Sequence, residues 1–337
     1  MIVVLLAAYN GEMYLRKQMD SILTQETQEK VCIVASDDCS RDGTAAILDL
    51  YAEKFPDRVL ALHRKQPSGG ADRHFLELMQ LFACAQKKAA IGTNWESCPD
   101  TVSRLRQMAD AQYVMLSEQD DVWLPQKVEK LVICMKKHEK IHPSAPVLVH
   151  SDLAVVDSDL RVLASSFFQY QKISPRRNRL RQLLVQNNVT GGAVMMNRPF
   201  LSLLETIPSC VLMHDAWLAL LAACFGETGW VDEPLYLYRQ HTGNSLGAEQ
   251  ADRMEVMRER VTDGSGAREN YRRMFAQAGE LLELFGNQLD AGQIATLKHF
   301  LAIPNQGRLG KMYSILRYGF TKNSLLRTLG QMLMIGT

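Results

Sequence analysis

Short, continuous apolar runs alternate with amphipathic stretches through the first half of the chain. The runs IVVLLAA, VCIVAS and YVMLS (2–8, 31–36 and 113–117) are typical of strands covered on both faces, and RVLAL (58–62) is a weaker example. Apolar residues recur at helical spacing over four segments, 12–24, 44–54, 73–88 and 125–137. This alternation predicts an α/β fold with a mostly parallel central sheet and helices on both faces.

The second half of the chain has a less regular pattern. Residues 147–157 predict a strand and a turn, and GWVDEPLYLYRQHTGNS (229–245) predicts a strand pair or meander. The segment MHDAWLALLAACFGE (213–227) is apolar on nearly all sides, which predicts a buried helix. Residues 250–337 have a mostly helical pattern, and residues 91–103 have the composition of a surface turn.

Composition and charge narrow the class of protein. The net charge of +1 over 337 residues gives no electrostatic reason to expect a nucleic-acid partner. The seven cysteines form no CxxC pair, so a reducing cytoplasm fits better than a disulfide framework or a zinc site. The first residues lack the basic start and cleavage site of a signal peptide, and no apolar stretch is long enough to predict a membrane span.

Polar segments follow three of the predicted strands. YNGE follows the first strand, DDCSRDGT follows the second, and EQDD follows the strand near residue 115. In parallel sheets, ligands bind beyond the carboxyl ends of the strands. We therefore expect the three segments to meet at one edge of the sheet.

The segment EQDDVW (118–123) places Glu118, Asp120 and Asp121 within four positions. Like charges this close repel one another unless a cation or strong donors hold them. Magnesium prefers oxygen ligands and takes one or two carboxylates together with water and phosphate oxygens. The pattern favours a site for Mg²⁺ or Mn²⁺ beside a diphosphate, although a solvated loop that caps the next helix could have the same residues.

Five segments together resemble the family 2 glycosyltransferases, and they occur in the order that is typical of that family. The segments are AAYNGEMYL, SDDCSRDGT, LSEQDDVWLPQK, MHDAWLALLAACFGE and DEPLYLYRQHTGNS. The resemblance extends over about residues 1–247 and is greatest to the rhamnosyltransferases of surface polysaccharides. It implies a GT-A catalytic domain over 1–247, with a nucleotide-binding half (1–125) and an acceptor half (126–247), and then a helical extension over 248–337.

The resemblance assigns roles to the matching positions. Asp120 stands where the family binds its metal, and Asp215 stands where it has the general base, although an aspartate there could also cap its helix. Glu118 replaces the aspartate that is usual at its position. The expected nucleotide and donor residues are Ala8, Tyr9, Asn10, Asp37, Asp38, Arg73, Glu118, Asp121 and Arg239.

The remaining candidates lie in the second half of the chain. His241 is a candidate ligand for the metal or the phosphates, and a solvated histidine in a turn is the alternative. The acceptor or sugar side is expected to hold Gly191, Gly192, His214 and Trp217. The glycine pair permits a close approach of the backbone, although it could also mark a turn.

The resemblance implies a metal-dependent inverting glycosyltransferase. The enzyme would move a sugar, with rhamnose as the first candidate, from a nucleotide diphosphate to a saccharide or lipid-linked acceptor in cell-surface polysaccharide synthesis. A non-catalytic nucleotide-sugar-binding protein and a nucleotidyltransferase are the alternatives. A nucleotidyltransferase would favour a Gly-rich, basic phosphate loop after the first strand, whereas AAYNGEMYLRK has one glycine.

The segment 308–337 is basic and amphipathic. It has no acidic residue, and its apolar positions alternate with Arg308, Lys311, Arg317, Lys322 and Arg327. Such a segment favours an anionic membrane surface, which would place a cytoplasmic enzyme at the inner face of the cell membrane. A helix pair packed on the rest of the chain, or on a second copy in a homodimer, would give the same pattern.

Overall fold

The computed structural model describes residues 1–89, 94–96, 99–241 and 264–335. Contacts divide the chain into two units. The first unit holds the described residues of 1–167, 190–207 and 226–248, and the second holds those of 168–189, 208–225 and 249–337. None of the described helices is long and apolar enough to cross a membrane.

One sheet forms the centre of the first unit. Within the described residues its strands are β1 (Ile2–Ala8), β2 (Val31–Asp37), β3 (Val59–His63), β4 (Tyr113–Ser117), β5 (Val122–Trp123), β6 (Val147–Val156), β7 (Val162–Ala164), β8 (Met195–Asn197) and β9 (Glu227–Arg239). The order across the sheet is β3-β2-β1-β4-β8-β6-β9-β5, and β7 pairs with β6.

The first four strands are parallel, as their hydrophobic pattern predicts. Strand β1 pairs with β2 and β4, and β2 pairs with β3. Every residue of β1, β2 and β4 is buried, because helices cover both faces of this half of the sheet. The expected α/β class is therefore confirmed.

Antiparallel pairs enter in the second half of the sheet. Strand β8 runs antiparallel to β4 and β6, and β5 runs antiparallel to β9, whereas β6 and β9 are parallel. The strand pair or meander predicted over 229–245 is instead the single strand β9 as far as Arg239, and residues 242–245 lie outside the described residues. The register of β9 against β6 shifts on both sides of Asp152, which pairs with Pro234, so three extra residues of β9 are accommodated without a turn.

The helices are distributed over both units. They are α1 (Leu15–Leu23), α2 (Thr44–Lys54), α3 (Ala71–Gln86), α4 (Pro99–Met108), α5 (Lys127–Ile141), α6 (Phe167–Tyr170), α7 (Leu180–Leu183), α8 (Arg198–Leu201), α9 (His214–Phe225), α10 (Gly264–Phe285), α11 (Ala291–Leu301), α12 (Arg308–Tyr318) and α13 (Leu325–Met334). Pro125 precedes α5 instead of lying in its first turn, because Gln126 is the residue that caps the helix.

Helix α4 corrects the surface turn predicted over 91–103. Residues 99–103 are helical because Leu105 and Met108 give the segment a buried apolar side. Trp95 is also buried, with the Arg64 guanidinium 4.8 Å from its ring centroid. Residues 90–93 and 97–98 lie outside the described part of the chain.

The second unit is helical and has an aromatic core. Trp217 of α9 lies 6.3 Å from Phe285 of α10, and Phe300 of α11 lies 4.7 Å from Phe275 and 5.2 Å from Phe320 between ring centroids. Residues 264–335 are helical, as expected, whereas the predicted boundary near 247 falls outside the described residues. Helix α9 groups with these helices, not with the sheet, because it buries nearly its whole surface among them.

Candidate active site

Hydrogen bonds between side chains and backbone join the loops that follow β1 and β2. The hydroxyl of Thr44 accepts from the Gly11 amide at 2.7 Å, and the side-chain oxygen of Asn10 accepts from the Arg41 amide at 2.8 Å. Asn10 has a left-handed backbone (φ 48°), which asparagine tolerates better than most residues. Ala8 pairs with Asp37 in the sheet, so the expected nucleoside residues of the two loops lie side by side.

The carboxylates of Asp37 and Asp38 are both buried at the end of β2. Asp37 accepts a hydrogen bond from the amide of Ser40 at 3.2 Å. Asp38 accepts from the amide and hydroxyl of Ser68, at 2.7 and 2.6 Å, and forms an ion pair with Arg64 at 3.0 Å. Both oxygens of Asp38 are therefore engaged within the protein, and its carboxylate shapes the loop after β3.

Arg64 begins a chain of ion pairs that ends at the partly exposed Arg73. Its Nη1 lies 2.7 Å from Glu77, and the same carboxylate lies 2.7 Å from Nε of Arg73. These cations hold the pKa of Glu77 below its ordinary value although burial acts in the opposite direction. The structure thus binds Arg73, an expected nucleotide contact, to its own helix.

The carboxylates of Glu118, Asp120 and Asp121 meet after β4. One oxygen from each lies within 4.8 Å of the others. Burial, with Glu118 and then Asp120 nearby, raises the pKa of Asp121 well above its ordinary value. The oxygen Oδ2 of Asp121 is buried and has no hydrogen-bond partner among the described residues. Three oxygen donors and one unsatisfied carboxylate oxygen fit a hard divalent cation.

His241 and Arg239 hold this cluster from the end of β9. The ring Nε2 of His241 lies 2.8 Å from Oδ2 of Asp120. The amide of Arg239 donates to Asp121 at 3.2 Å, its Nε donates to the Asp120 carbonyl at 2.7 Å, and its Nη1 donates to the Ser158 carbonyl at 2.6 Å. The guanidinium expected to bind phosphate is thus buried and positions the acidic loop. Residues 242–245 of the same motif lie outside the described residues.

Lys127 is a buried cation behind the cluster. It donates to the carbonyl of Gly192, and its Nζ lies 3.6 Å from the ring centroid of Trp123 and 4.3 Å from that of Tyr236. Burial lowers its pKa well below the ordinary value, against the opposing effect of Asp121 and Glu118. A side chain at Gly192 would place its Cβ 3.3 Å from Oδ2 of Asp121, so this glycine leaves room for the carboxylate. The expected approach of Gly191 and Gly192 to a sugar or acceptor stays a prediction.

Two glutamines in the site were not predicted from the sequence. The amide of Gln119 accepts from the backbone nitrogen of Tyr9 at 2.7 Å and donates to its carbonyl at 2.9 Å. Gln18 of α1 is buried and donates to Ser117 and to the Glu118 carbonyl, at 2.7 and 3.1 Å. The two side chains connect the acidic loop to the first loop of the sheet, and neutral amides have no motif that would identify them.

Tyr14 and Lys127 complete the set of unpredicted residues. The Tyr14 ring lies 4.5 Å from the Arg239 guanidinium and 4.9 Å from the His241 ring. Lys127 had a usable signal, since it is one helical turn before Leu131 and two before Met135 on the buried side of α5. A lysine on an apolar helix face indicates a buried partner.

The predicted base lies in the second unit, in the first turn of α9. Asp215 is half-buried and accepts a hydrogen bond from the side-chain amide of Asn187 at 3.0 Å. His214 and Trp217 are fully buried, and burial lowers the pKa of His214 to about 3. Neither side chain is accessible in this structure, and their place on the acceptor or sugar side stays a prediction.

Known proteins resemble the chain in sequence and in fold. The profile of Glycosyl transferase family 2 matches residues 3–74. An uncharacterized protein of Mycobacterium tuberculosis is 26% identical over 248 residues, which are 73% of this chain and 60% of the relative, so the chain spans less than two thirds of that protein. The dTDP-rhamnosyl transferase RfbG of Shigella flexneri is 22% identical over 246 residues, which are 72% of this chain and 74% of that one.

A solved structure has the same fold. The crystal structure of S. aureus TarS 1-349 in complex with UDP-GlcNAc aligns with a TM-score of 0.53 at 14% identity, over 94% of this chain and 80% of that chain. Because the identity is low, this likeness is informative for the architecture alone. It confirms the expected GT-A fold.

Proposed function

We propose that the chain is a family 2 glycosyltransferase that transfers a sugar from a nucleotide diphosphate to an acceptor hydroxyl, with inversion and with a divalent cation. The observation that carries the proposal is the carboxylate cluster of Glu118, Asp120 and Asp121, whose oxygens lie within 4.8 Å of one another. The bonds of Gln119 to Tyr9 attach this cluster to the loops where a nucleotide is expected.

The cation is assigned to Asp120 and Asp121, with Glu118 and His241 as further donors. Bound there, Mg²⁺ or Mn²⁺ would stabilise the negative charge of the departing diphosphate. The chain prepares the site by burying Arg239 against the backbone of Asp120, which fixes the loop before any ligand arrives. Lys127 lies close enough to Asp121 and Glu118 for their charges to raise its pKa against the larger effect of burial.

Asp215 is assigned as the general base of the transfer. The acceptor oxygen forms a bond to the anomeric carbon of the sugar while its proton passes to the Asp215 carboxylate. The bond from the anomeric carbon to the diphosphate oxygen breaks, and the nucleotide diphosphate leaves with the electron pair. The amide of Asn187 holds one oxygen of Asp215 and so orients the carboxylate.

We propose dTDP-rhamnose as the first donor to test, because a relative from Shigella flexneri is named a dTDP-rhamnosyl transferase. The proposed acceptor is a saccharide or lipid-linked saccharide of cell-surface polysaccharide synthesis.

Donor binding is tested first, by calorimetry with dTDP-, UDP- and GDP-sugars in the presence and absence of Mn²⁺. One donor should bind, and binding should depend on the metal. Asp120→Asn should weaken donor affinity about tenfold or more, which is at least about 1.4 kcal/mol. The matched control is Asp110→Asn, an exposed carboxylate before β4. If no donor binds, or if the metal makes no difference, the proposal is overturned.

The base is tested separately, with Asp215→Asn. This variant should bind the donor with unchanged affinity and should lose about 10²- to 10⁴-fold in the rate of transfer, the usual contribution of a general base. Transfer at the original rate would remove Asp215 from the mechanism. If the original chain binds a donor but neither transfers nor hydrolyses it, the alternative of a non-catalytic nucleotide-sugar-binding protein replaces the proposal.

A further inference from the structure

The last two helices expose a row of large apolar side chains. On α12, Leu309, Tyr313 and Leu316 follow at helical spacing i, i+4 and i+7, with exposed fractions of 82, 62 and 62%. On α13 the exposed residues are Leu325, Leu326, Leu329 and Leu333, with fractions from 47 to 78%. We call these seven side chains the leucine strip.

The leucine strip is not needed to attach the helices to the second unit. Helix α12 buries Ser314 and Ile315, and helix α13 buries Thr328 and Met332, on other sides of the two helices. The amide of Gln331 also donates to the Phe320 carbonyl at 2.9 Å in a buried position. Isolated exposed leucines are ordinary, but seven exposed large apolar side chains on two successive helices indicate an interaction surface.

The charge of the same segment indicates the partner. Arg308 and Arg317 are exposed, one just before and one just after the strip residues of α12. Residues 308–335 contain no aspartate or glutamate. An apolar strip with cations at its border complements a lipid surface, where the apolar groups enter the acyl region and the cations meet phosphates. An isologous contact with a second copy would instead bring like charges together.

We propose that α12 and α13 bind flat to the surface of an anionic phospholipid bilayer, with the leucine strip in the boundary between headgroups and acyl chains. Arg308 and Arg317 contact the lipid phosphates from the border of the strip. This proposal depends on the exposed residues of the second unit, and it holds whether or not the chain transfers rhamnose. It also gives the enzyme direct access to acceptors that are lipid-linked.

The test is flotation of the full chain with vesicles of phosphatidylcholine, with and without phosphatidylglycerol. The chain should float with the anionic vesicles and should be released by high salt. Arg308→Gln and Arg317→Gln should each lower the partition coefficient about fivefold, the effect of one cation near an anionic surface. Leu316→Glu combined with Leu329→Glu should abolish flotation.

The matched control is Ile133→Glu on α5, which is 61% exposed and lies in the first unit. It should float like the original chain, and circular dichroism should show that all variants are folded. Equal flotation with neutral and anionic vesicles would overturn the proposal. A second result would also overturn the proposal. If the original chain does not float but forms a dimer in analytical ultracentrifugation, and the double variant Leu316→Glu with Leu329→Glu is a monomer, the leucine strip joins two copies. Donor binding is measured without vesicles, so a failure of the proposed transferase function can be distinguished from a failure of the membrane proposal.

Discussion

Gln119 shows how a neutral residue can organise a charged site. Its side-chain amide offers one acceptor and one donor, and both are used on the backbone of Tyr9. The pairing resembles one rung of a β-ladder, made by a side chain instead of a strand. Gly11 leaves the necessary space, since a Cβ there would lie 2.2 Å from Oε1 of Gln119.

Replacement of Gln119 by leucine should therefore impair donor binding. The variant keeps the approximate size but removes two exposed hydrogen bonds to the Tyr9 backbone, each of which contributes about 0.5–1.5 kcal/mol. We expect about a tenfold or greater loss of donor affinity in calorimetry with Mn²⁺. Gln107→Leu, on the exposed side of α4, is the control. Unchanged affinity in Gln119→Leu would show that the two loops are held by other contacts.

His150 should make the stability of the protein depend on pH. Burial lowers the pKa of His150 to about 4, from an ordinary value of 6.5. The unfolded chain therefore binds a proton as pH falls through 6.5, the folded chain does so only near 4, and acid favours the unfolded chain between these values. The contribution amounts to about 1.4 kcal/mol per pH unit, or about 3 kcal/mol over the whole window.

The measurement for His150 is urea unfolding of the original chain and of His150→Leu across that window. The original chain should lose about 3 kcal/mol more than the variant on passing from neutral pH to pH 4. His142→Leu, at a position with 43% side-chain exposure, should retain the original pH dependence. Parallel pH curves for the original chain and His150→Leu would contradict the prediction.

At the residue scale, the acidic positions could be predicted and their partners could not. Asp120 and Asp121 follow a continuous apolar run, so their place at the sheet edge follows from the pattern. Arg239 was expected to face phosphate, but it donates to the carbonyls of Asp120 and Ser158. The register of β9 against β6 determines which carbonyls lie near the Arg239 guanidinium. This register cannot be read from the chemistry of the side chains alone.

At the element scale, the connection from α9 to β9 depends on a glycine. A Cβ at Gly226 would lie 2.1 Å from the Pro146 carbonyl oxygen, just before β6. Gly226→Ala should therefore force the backbone apart and destabilise the protein by about 1–3 kcal/mol. Gly330→Ala in α13, where no atom lies within 4 Å of the added Cβ, should be neutral or stabilising by up to about 1 kcal/mol.

Thermal unfolding followed by circular dichroism distinguishes the two glycine variants. A lower midpoint for Gly226→Ala and an equal or higher midpoint for Gly330→Ala are expected. If Gly226→Ala unfolds at the original temperature, β9 can shift away from Pro146 without cost. The steric argument for the connection would then be wrong.

Elements with a strong local pattern were predictable, and short elements were not. The strands β1, β2 and β4 are continuous apolar runs, and α5 has clear helical spacing. Strands β5 and β8 have two and three residues, too few to show a period, and their direction is set by long-range pairing. Helix α4 was missed because most of its residues are polar and its buried side has two members.

At the scale of the whole molecule, the two units are interleaved along the chain. Segments 168–189 and 208–225 belong to the second unit although the sheet continues on both sides of each. A single boundary near residue 247 was the simplest expectation from the change to helical pattern. The structure instead groups α9 with helices far along the chain, because α9 is apolar on nearly all sides and needs partners around it.

A fragment of residues 1–225 should therefore fail to fold. It lacks β9, which pairs with both β5 and β6 and supplies the amide that binds Asp121. The fragment should have no cooperative unfolding transition and should expose its amides to rapid hydrogen exchange, in contrast to the full chain. A cooperative transition in the fragment would show that the remaining strands are sufficient.

The late position of β9 also has a consequence during synthesis. The ten residues of β6 are all buried in the finished sheet, yet their main parallel partner is made more than seventy residues later. At 5–20 residues per second the wait is on the order of ten seconds, and in that time an apolar strand has an open edge on the ribosome. The yield of folded protein in a cell should then follow translation speed and chaperone supply more closely than the stability of the completed enzyme.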